Sequence, residues 1–292
     1  MSSSVGAPRG SAGSTEQLAP RDDLEETELS LLLEGVFRTY GFDFRHYARG
    51  SIRRRIWRRV RAEHTGTISG LQERLLHDFD CMERFLTDVS VRTTAMFRDP
   101  GFYHGLRTKV VPVLRTYPFI RVWDAGCSTG EETYSLAILL AEAGLYERTR
   151  IYATDLNEAA LERARTGRFP LGRMREYSGN YIAAGGTRSL CEYFTTDRTE
   201  ARFHSRLTAN LVFAQHNLVS DRSFNEFNLI LCRNVLIYFD RALQEHVHDL
   251  LYESLGVLGA LALGPRESLR SLRLEPCYEE LDAKHKLYRR IR

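Results

Sequence analysis

Residues 119–140 read FIRVWDAGCSTGEETYSLAILL, and this stretch decides the fold. Ile120 to Asp124 is a β-branched and aromatic run of strand length. Gly126 and Gly130 bracket a tight turn of small residues, Cys127-Ser128-Thr129, and from Glu131 onward Leu136, Ala137, Leu139 and Leu140 set up a helix. Strand, glycine turn and helix in that order bring a ligand's polar groups against bare backbone at a helix N-terminus. An ordinary strand-to-helix turn has the same outline, so this stretch alone leaves both readings open. The spacing is Gly-x-x-x-Gly, not the Gly-x-Gly-x-x-Gly of dinucleotide binders.

Glu131 at the mouth of the turn would repel a pyrophosphate and suit a cationic amine. The implied ligand is a nucleoside carrying positive charge, and S-adenosylmethionine fits that description. A second strand-like run, Arg150 to Asp155, ends in an acid at the open rim of a doubly wound sheet, where its carboxylate can take both ribose hydroxyls. An acid at that point can also cap the following helix, and one residue can do both.

Outward from there, the alternation of strands and helices continues to the C-terminus and marks an α/β doubly wound domain. Strands are expected at 211–214, 227–232 and 260–264, a helix at about 240–255, and a terminal pair near 277 and 285–291. Between Phe169 and Ser205 the alternation stops, and short runs of Gly, Tyr, Arg, Thr and Phe suggest an inserted hairpin-like piece. Toward the N-terminus, residues 1–22 are poor in apolar side chains and read as a disordered tail. Helical periodicity then runs from 23 to 90, with Gly41 stopping the first helix and two further helices at about 69–78 and 80–90. Three units follow: a tail 1–22, a helical domain 23–90, and a larger domain 91–292 with its insert at about 169–205.

With 292 residues, 43% hydrophobic and 27% charged, the chain has an ordinary soluble composition and room for two domains. No apolar run approaches the ~20 residues of a membrane span, and the N-terminus lacks the basic-then-apolar order of a secretory signal. Five cysteines, none in a Cys-x-x-Cys pair, argue for a reducing compartment and against a zinc site. A cytoplasmic protein with no metal and no membrane insertion is expected.

The net charge of +3 selects no partner, but its distribution does. In RHYARGSIRRRIWRRVRAEH, Arg45, Arg49, Arg53, Arg54, Arg55, Arg58, Arg59 and Arg61 have no acid among them. Ile52, Ile56 and Val60 lie four apart and make one apolar stripe, so the arginines are expected over much of the remaining circumference. A solvated basic face is one reading and an acidic partner the other. Only Trp57 is at hand for base stacking, which favours a protein partner over nucleic acid.

Taken in order, the motifs resemble the chemotaxis receptor methyltransferases, the CheR-type protein-glutamate O-methyltransferases. The resemblance rests on RRRIWRRV, TTAMFRD, AGCSTGEE with its following Tyr-Ser-Leu-Ala, ATDLNEAAL, the Asn-Leu pair, LCRNVLIYFD and GPRESL. It implies a Rossmann-like methyltransferase sheet with a small inserted β-subdomain, preceded by a small all-helical domain. It also implies S-adenosylmethionine as cofactor, S-adenosylhomocysteine as product, and methyl esters on receptor glutamates. By resemblance Asp155 would bind the ribose hydroxyls, Glu131 would face the amino group, and Thr94 and Arg98 would approach the methionine end. Gly126 would belong to the cofactor turn, and Asn217 with Leu218 and Asn234 with Val235 would border the adenine. Arg98 and Tyr238 would be catalytic, Tyr238 beside the transferring methyl. Arg53, Arg54, Arg58 and Arg59 would meet Glu-rich receptor helices, and the insert resembles the β-subdomain that grips a receptor tether peptide in some members.

The chemistry agrees. A glutamate carboxylate, with a pKa of about 4.3, is already ionised at neutral pH and needs no general base. Alignment of donor and acceptor and exclusion of water remain for the protein to supply. Three residues depart from the family pattern: Arg92 stands where Asn is usual, Thr133 where Pro is usual, and Pro265 where a polar residue is usual. Arg92, a second cation near a sulfonium, motivates an alternative in which a CheR-like protein binds the cofactor as a scaffold with weak or lost turnover. A nucleic-acid methyltransferase is a further alternative, against which Arg233-Asn234-Val235-Leu236 stands where an amino methylase would carry Asn-Pro-Pro-Tyr.

Overall fold

The computed structural model describes residues 21–89 and 94–292. Of the tail expected over 1–22, residues 1–20 lie outside the described residues, as does Arg92, and the last two open the first helix. Four helices come first: α1 (Arg21–Tyr40), α2 (Arg49–Ala62), α3 (Ile68–His77) and α4 (Phe79–Val89). On α1 the buried Leu29, Leu32, Leu33 and Val36 recur at helical spacing and face inward. Gly41, at φ +76°, ends that helix by donating its N–H to the Phe37 carbonyl at 2.8 Å. These side chains, with Ile52, Ile56 and Val60 of α2 and Leu71, Leu75 and Phe85 beyond, form a core of their own.

A short helix α5 (Pro100–Gly105), a π-helical turn (Leu106–Val110) and α6 (Val111–Leu114) lead to the central strand β1 (Ile120–Ala125). The remaining elements are α7 (Glu131–Glu142), β2 (Thr149–Asp155), α8 (Glu158–Thr166), β3 (Arg168–Pro170), α9 (Met174–Ala183), β4 (Phe194–Thr196), β5 (Glu200–Phe203), α10 (Ser205–Thr208), β6 (Leu211–Gln215), β7 (Phe227–Cys232), α11 (Arg241–Ser254), β8 (Leu255–Leu263), β9 (Tyr278–Asp282) and β10 (Leu287–Arg290). The main sheet has seven strands in the order β6-β2-β1-β7-β8-β10-β9. Its first five are parallel, and β10 pairs antiparallel with both β8 and β9. Alternate side chains of β1 enter two separate cores, Ile120 and Val122 on one face and Trp123 and Ala125 on the other. Both faces are therefore covered, as a doubly wound sheet requires.

Strand order reverses between β1 and β7, and at such a switch point the loops beyond the strand C-termini splay apart to leave a crevice. Gly126 follows β1, Asp155 ends β2, Asn217 follows β6 and Asn234 follows β7, so four strand ends deliver candidate residues to one rim.

The insert is a three-stranded antiparallel sheet, β3-β5-β4. It also contains α9, which the hairpin-like reading of this region did not include. The helix buries Met174, Tyr177 and Tyr181, and Ser178 and Gly179 weaken its sequence signal. Phe169 and Phe203 hold the insert to α7 by packing on Tyr134, with ring centres 5.3 and 5.4 Å away. The helical domain is tied to the sheet's rim by backbone bonds: Ala48 N–H donates to the Tyr238 carbonyl at 2.8 Å, and Asp240 N–H to the His46 carbonyl at 2.9 Å. Among the described residues no helix is long and apolar enough to cross a membrane.

Candidate active site

The glycine turn is built for close approach. Gly126 has φ +82°, and a Cβ there would lie 2.4 Å from the Val235 side chain, so the turn and the loop after β7 meet without room for one. The Gly126 and Cys127 N–H groups both donate to the Thr154 carbonyl, at 2.7 and 2.9 Å, which locks the turn to the end of β2. Asp155 completes the lock: its carboxylate accepts from the Ser128 N–H at 2.8 Å and from the Asn157 N–H at 2.9 Å. Burial pushes the Asp155 pKa up and these backbone bonds pull it down. The cap of α8 is the Asn157 side chain rather than Asp155.

Two cavities open on this rim and share Gly126, Asn234 and Tyr238. The first encloses about 680 Å³, its mouth included, and is walled by Asp155, Asn217, Leu218 and Val235. Tyr47 and Val89 of the helical domain close its far side, a contribution the sequence did not reveal. Among the described residues its wall carries a carboxylate and no lysine or arginine, which suits a nucleoside with a cationic centre and not a polyphosphate. The second cavity, about 850 Å³, is lined by Thr94, Arg98, Ser128, Glu132, Arg233, Tyr238 and Arg266.

Of the cofactor and catalytic candidates, Thr94, Arg98, Gly126, Asp155, Asn217, Leu218, Asn234, Val235 and Tyr238 thus line one or both cavities. Glu131 is buried beside them, accepting from the Thr129 hydroxyl at 2.6 Å and from the Tyr177 hydroxyl at 3.2 Å. The neighbouring Glu132 lines the second cavity and is paired with Arg233 at 2.5 Å. Arg233 is itself buried, bonds Asp99 at 2.8 Å and stacks 3.8 Å over the Phe102 ring. Two carboxylates and a ring thereby neutralise that guanidinium, so it forms wall rather than anion receptor.

Glu267 is the organising residue that the motifs did not single out. Only 4% exposed, it accepts from the backbone N–H groups of Gly264 (2.6 Å), Asn234 (2.9 Å), Leu236 (2.8 Å) and Ile237 (3.4 Å). Asn234 sits at φ +60°, and the loop then runs through a 3-10 turn to Tyr238. A carboxylate beneath this loop thus fixes the path of Asn234, Val235 and Tyr238 together. Thr133, one of the departures, also has a partner: its hydroxyl donates to the fully buried Asp124 carboxylate, a bond no proline can make. Burial and the nearby Glu132 push the Asp124 pKa up. Pro265 is exposed.

The four arginines expected at the partner face divide. Arg54 and Arg58 are exposed, four residues apart on one side of α2. Arg53 is exposed but forks onto Glu25 of α1 at 2.5 and 2.9 Å. Arg59 turns inward, 9% exposed, to bond Asp88 and Glu63. The expectation of a basic circumference is therefore corrected: no acid stands among the arginines, but Glu25 of α1, Asp88 of α4 and Glu63 at the end of the run meet them in space.

Comparison with known proteins gives two family matches, "CheR methyltransferase, all-alpha domain" over residues 27–90 and "CheR methyltransferase, SAM binding domain" over residues 92–283. The chain is 45% identical over 265 residues to Cher3 of Pseudomonas putida, which is named only as a methyltransferase, covering 91% of this chain and 97% of that one. It is 29% identical over 241 residues to the chemotaxis protein methyltransferase of Listeria monocytogenes, covering 80% and 87%. With that of Salmonella typhimurium the identity is 28% over 280 residues, 93% of each chain.

Proposed function

The chain belongs to the CheR methyltransferase family, with S-adenosylmethionine as its cofactor, and from that premise we propose that it esterifies glutamate side chains on the cytoplasmic helices of chemoreceptors. The observation that carries the proposal is the second cavity, where Arg98 and Arg266 join Tyr238 beside the nucleoside cavity and no histidine is present among the described lining residues. Guanidinium groups there favour an anionic acceptor. An anionic acceptor needs no base, and the wall's acid, Glu132, is already engaged by Arg233.

When bound, S-adenosylmethionine supplies an electrophilic methyl group on a cationic sulfur. Asp155 holds the ribose hydroxyls with the lone pairs that Ser128 and Asn157 leave free. Asn217, Leu218, Asn234 and Val235 border the adenine. Glu131, fixed by Thr129 and Tyr177, contributes negative charge near the amino group. Arg98 and Tyr238 would align an acceptor carboxylate for attack on that methyl group. Arg54 and Arg58 receive the acidic receptor helix, Arg53 in its fork with Glu25 and the inward-facing Arg59 brace that face of α2, and the β-subdomain receives a receptor tether peptide. A cytoplasmic location follows from such a substrate.

The test is transfer from donor labelled in its methyl group to a receptor cytoplasmic fragment. Label released as methanol by mild base is expected. Base-stable label, or label in nucleic acid, would overturn the assignment.

A further inference from the structure

Arg55 lies on the inward side of α2 and is 6% exposed. Its guanidinium carbon sits 4.5 Å from the centre of the Tyr238 ring, and one of its N–H groups donates to the Val89 carbonyl at the end of α4. Tyr238 is half-buried and lines both cavities, so one part of its ring faces the groove while a cation covers another. A guanidinium over an aromatic face attracts it through the ring quadrupole, more strongly where water is excluded. The backbone on either side is joined as well: Ala48, the residue before α2, donates to the Tyr238 carbonyl, and Tyr47 forms a β-bridge with Phe239, their rings 5.0 Å apart. The next residue in the chain after Arg54, on the same helix as Arg58, is therefore the one that grips Tyr238.

We propose that Arg55 is a positioning residue for Tyr238, and that through it the helix offering Arg54 and Arg58 to an acidic partner also sets the tyrosine at the acceptor site. The inference rests on the reading of Tyr238 as a group beside the acceptor. Helix and tyrosine form one unit, so an acidic helix seated on the outer face of α2 bears on the side chain that aligns its carboxylate.

The experiment uses the full chain with S-adenosylhomocysteine and 3-fluorotyrosine at position 238 alone, titrated with a Glu-rich helical peptide. The peptide should shift the fluorine resonance of the native protein. In Arg55→Met that shift should fall at least fivefold, while peptide and cofactor affinities stay within twofold; Arg55→Lys should restore most of it. Arg54→Ala with Arg58→Ala should instead weaken peptide binding about tenfold. In methyl transfer, Arg55→Met should lower kcat about tenfold with KM within twofold, and should cost nothing further in a Tyr238→Ala background. A fluorine response in Arg55→Met equal to the native one, or losses that multiply in the double variant, would overturn the inference. A Tyr238→Ala variant with native kcat would instead overturn the reading of Tyr238 itself.

Discussion

Glu63 in the helical domain and Glu267 under the rim loop are both buried carboxylates with several donors each, yet their donors differ in kind. Glu63 takes guanidinium groups from Arg59 at 3.0 Å, Arg84 at 2.8 Å and Arg74 at 3.3 Å, and these hold its pKa down at about 2. Glu267 takes four backbone N–H groups, and burial still pushes its pKa up against them. Full charges offset the loss of water around a carboxylate; peptide dipoles do so only in part. The gain lies elsewhere. An arginine side chain can reach the same acid from many backbone arrangements, whereas four N–H groups meet at one carboxylate only when the backbone follows one path. Glu63 fastens α2, α3 and α4 to one another, and Glu267 specifies a loop.

Removing the two acids should therefore break different properties. Glu267→Ala leaves four N–H donors without their acceptor, and methyl transfer should fall at least a hundredfold, with a stability loss of about 3 kcal/mol in urea unfolding. Next in size, Glu63→Ala should cost about 2–3 kcal/mol of stability, because Arg59 keeps Asp88 but loses its second acid. Cofactor affinity by calorimetry should stay within about threefold. Equal effects of the two variants on cofactor affinity would erase the contrast.

A smaller effect sharpens it. The Glu63 pKa is about 2 in the folded chain against an ordinary 4.5, so its contribution is fully present above 4.5 and is lost as pH falls toward 2. Acid unfolding curves of native protein and Glu63→Gln should converge across that window and stay separated above it; a constant separation would refute the linkage. The smallest effect is expected at Asp124, where Thr133→Val removes one donor from a buried carboxylate. About 1 kcal/mol of stability should be lost, read as a melting point some 2–4 °C lower.

The strands and the glycine turn were legible because β-branched runs, turn glycines and helical periodicity are local properties of the chain. The strand-end position already marked Asp155, family motifs then drew attention to Asn217, Asn234 and Tyr238, and the four line one cavity. What escaped the sequence is partnership across distance. Three of the four backbone N–H groups that Glu267 binds lie 30–33 residues away, and an N–H carries no signature of residue type. Glu25 and Asp88, which pair with Arg53 and Arg59, lie on other helices, so the basic run overstated its own charge. Glu131 and Glu132 are adjacent, and only the placement of α7 shows that Glu132 lines the cavity with Arg233 while Glu131 meets Tyr177. Helix α9 was hidden by a serine and glycine at its centre, while tyrosines three and seven residues along its inner face hold it in place.

The central claim is that a carboxylate at the end of β2, locked to the glycine turn, holds the cofactor's ribose. Calorimetric titration of native protein and Asp155→Ala with S-adenosylhomocysteine tests it most directly. An affinity loss of at least a hundredfold, with the melting curve of the free protein shifted by only a few degrees, is the predicted result. Affinity within twofold of native would contradict it.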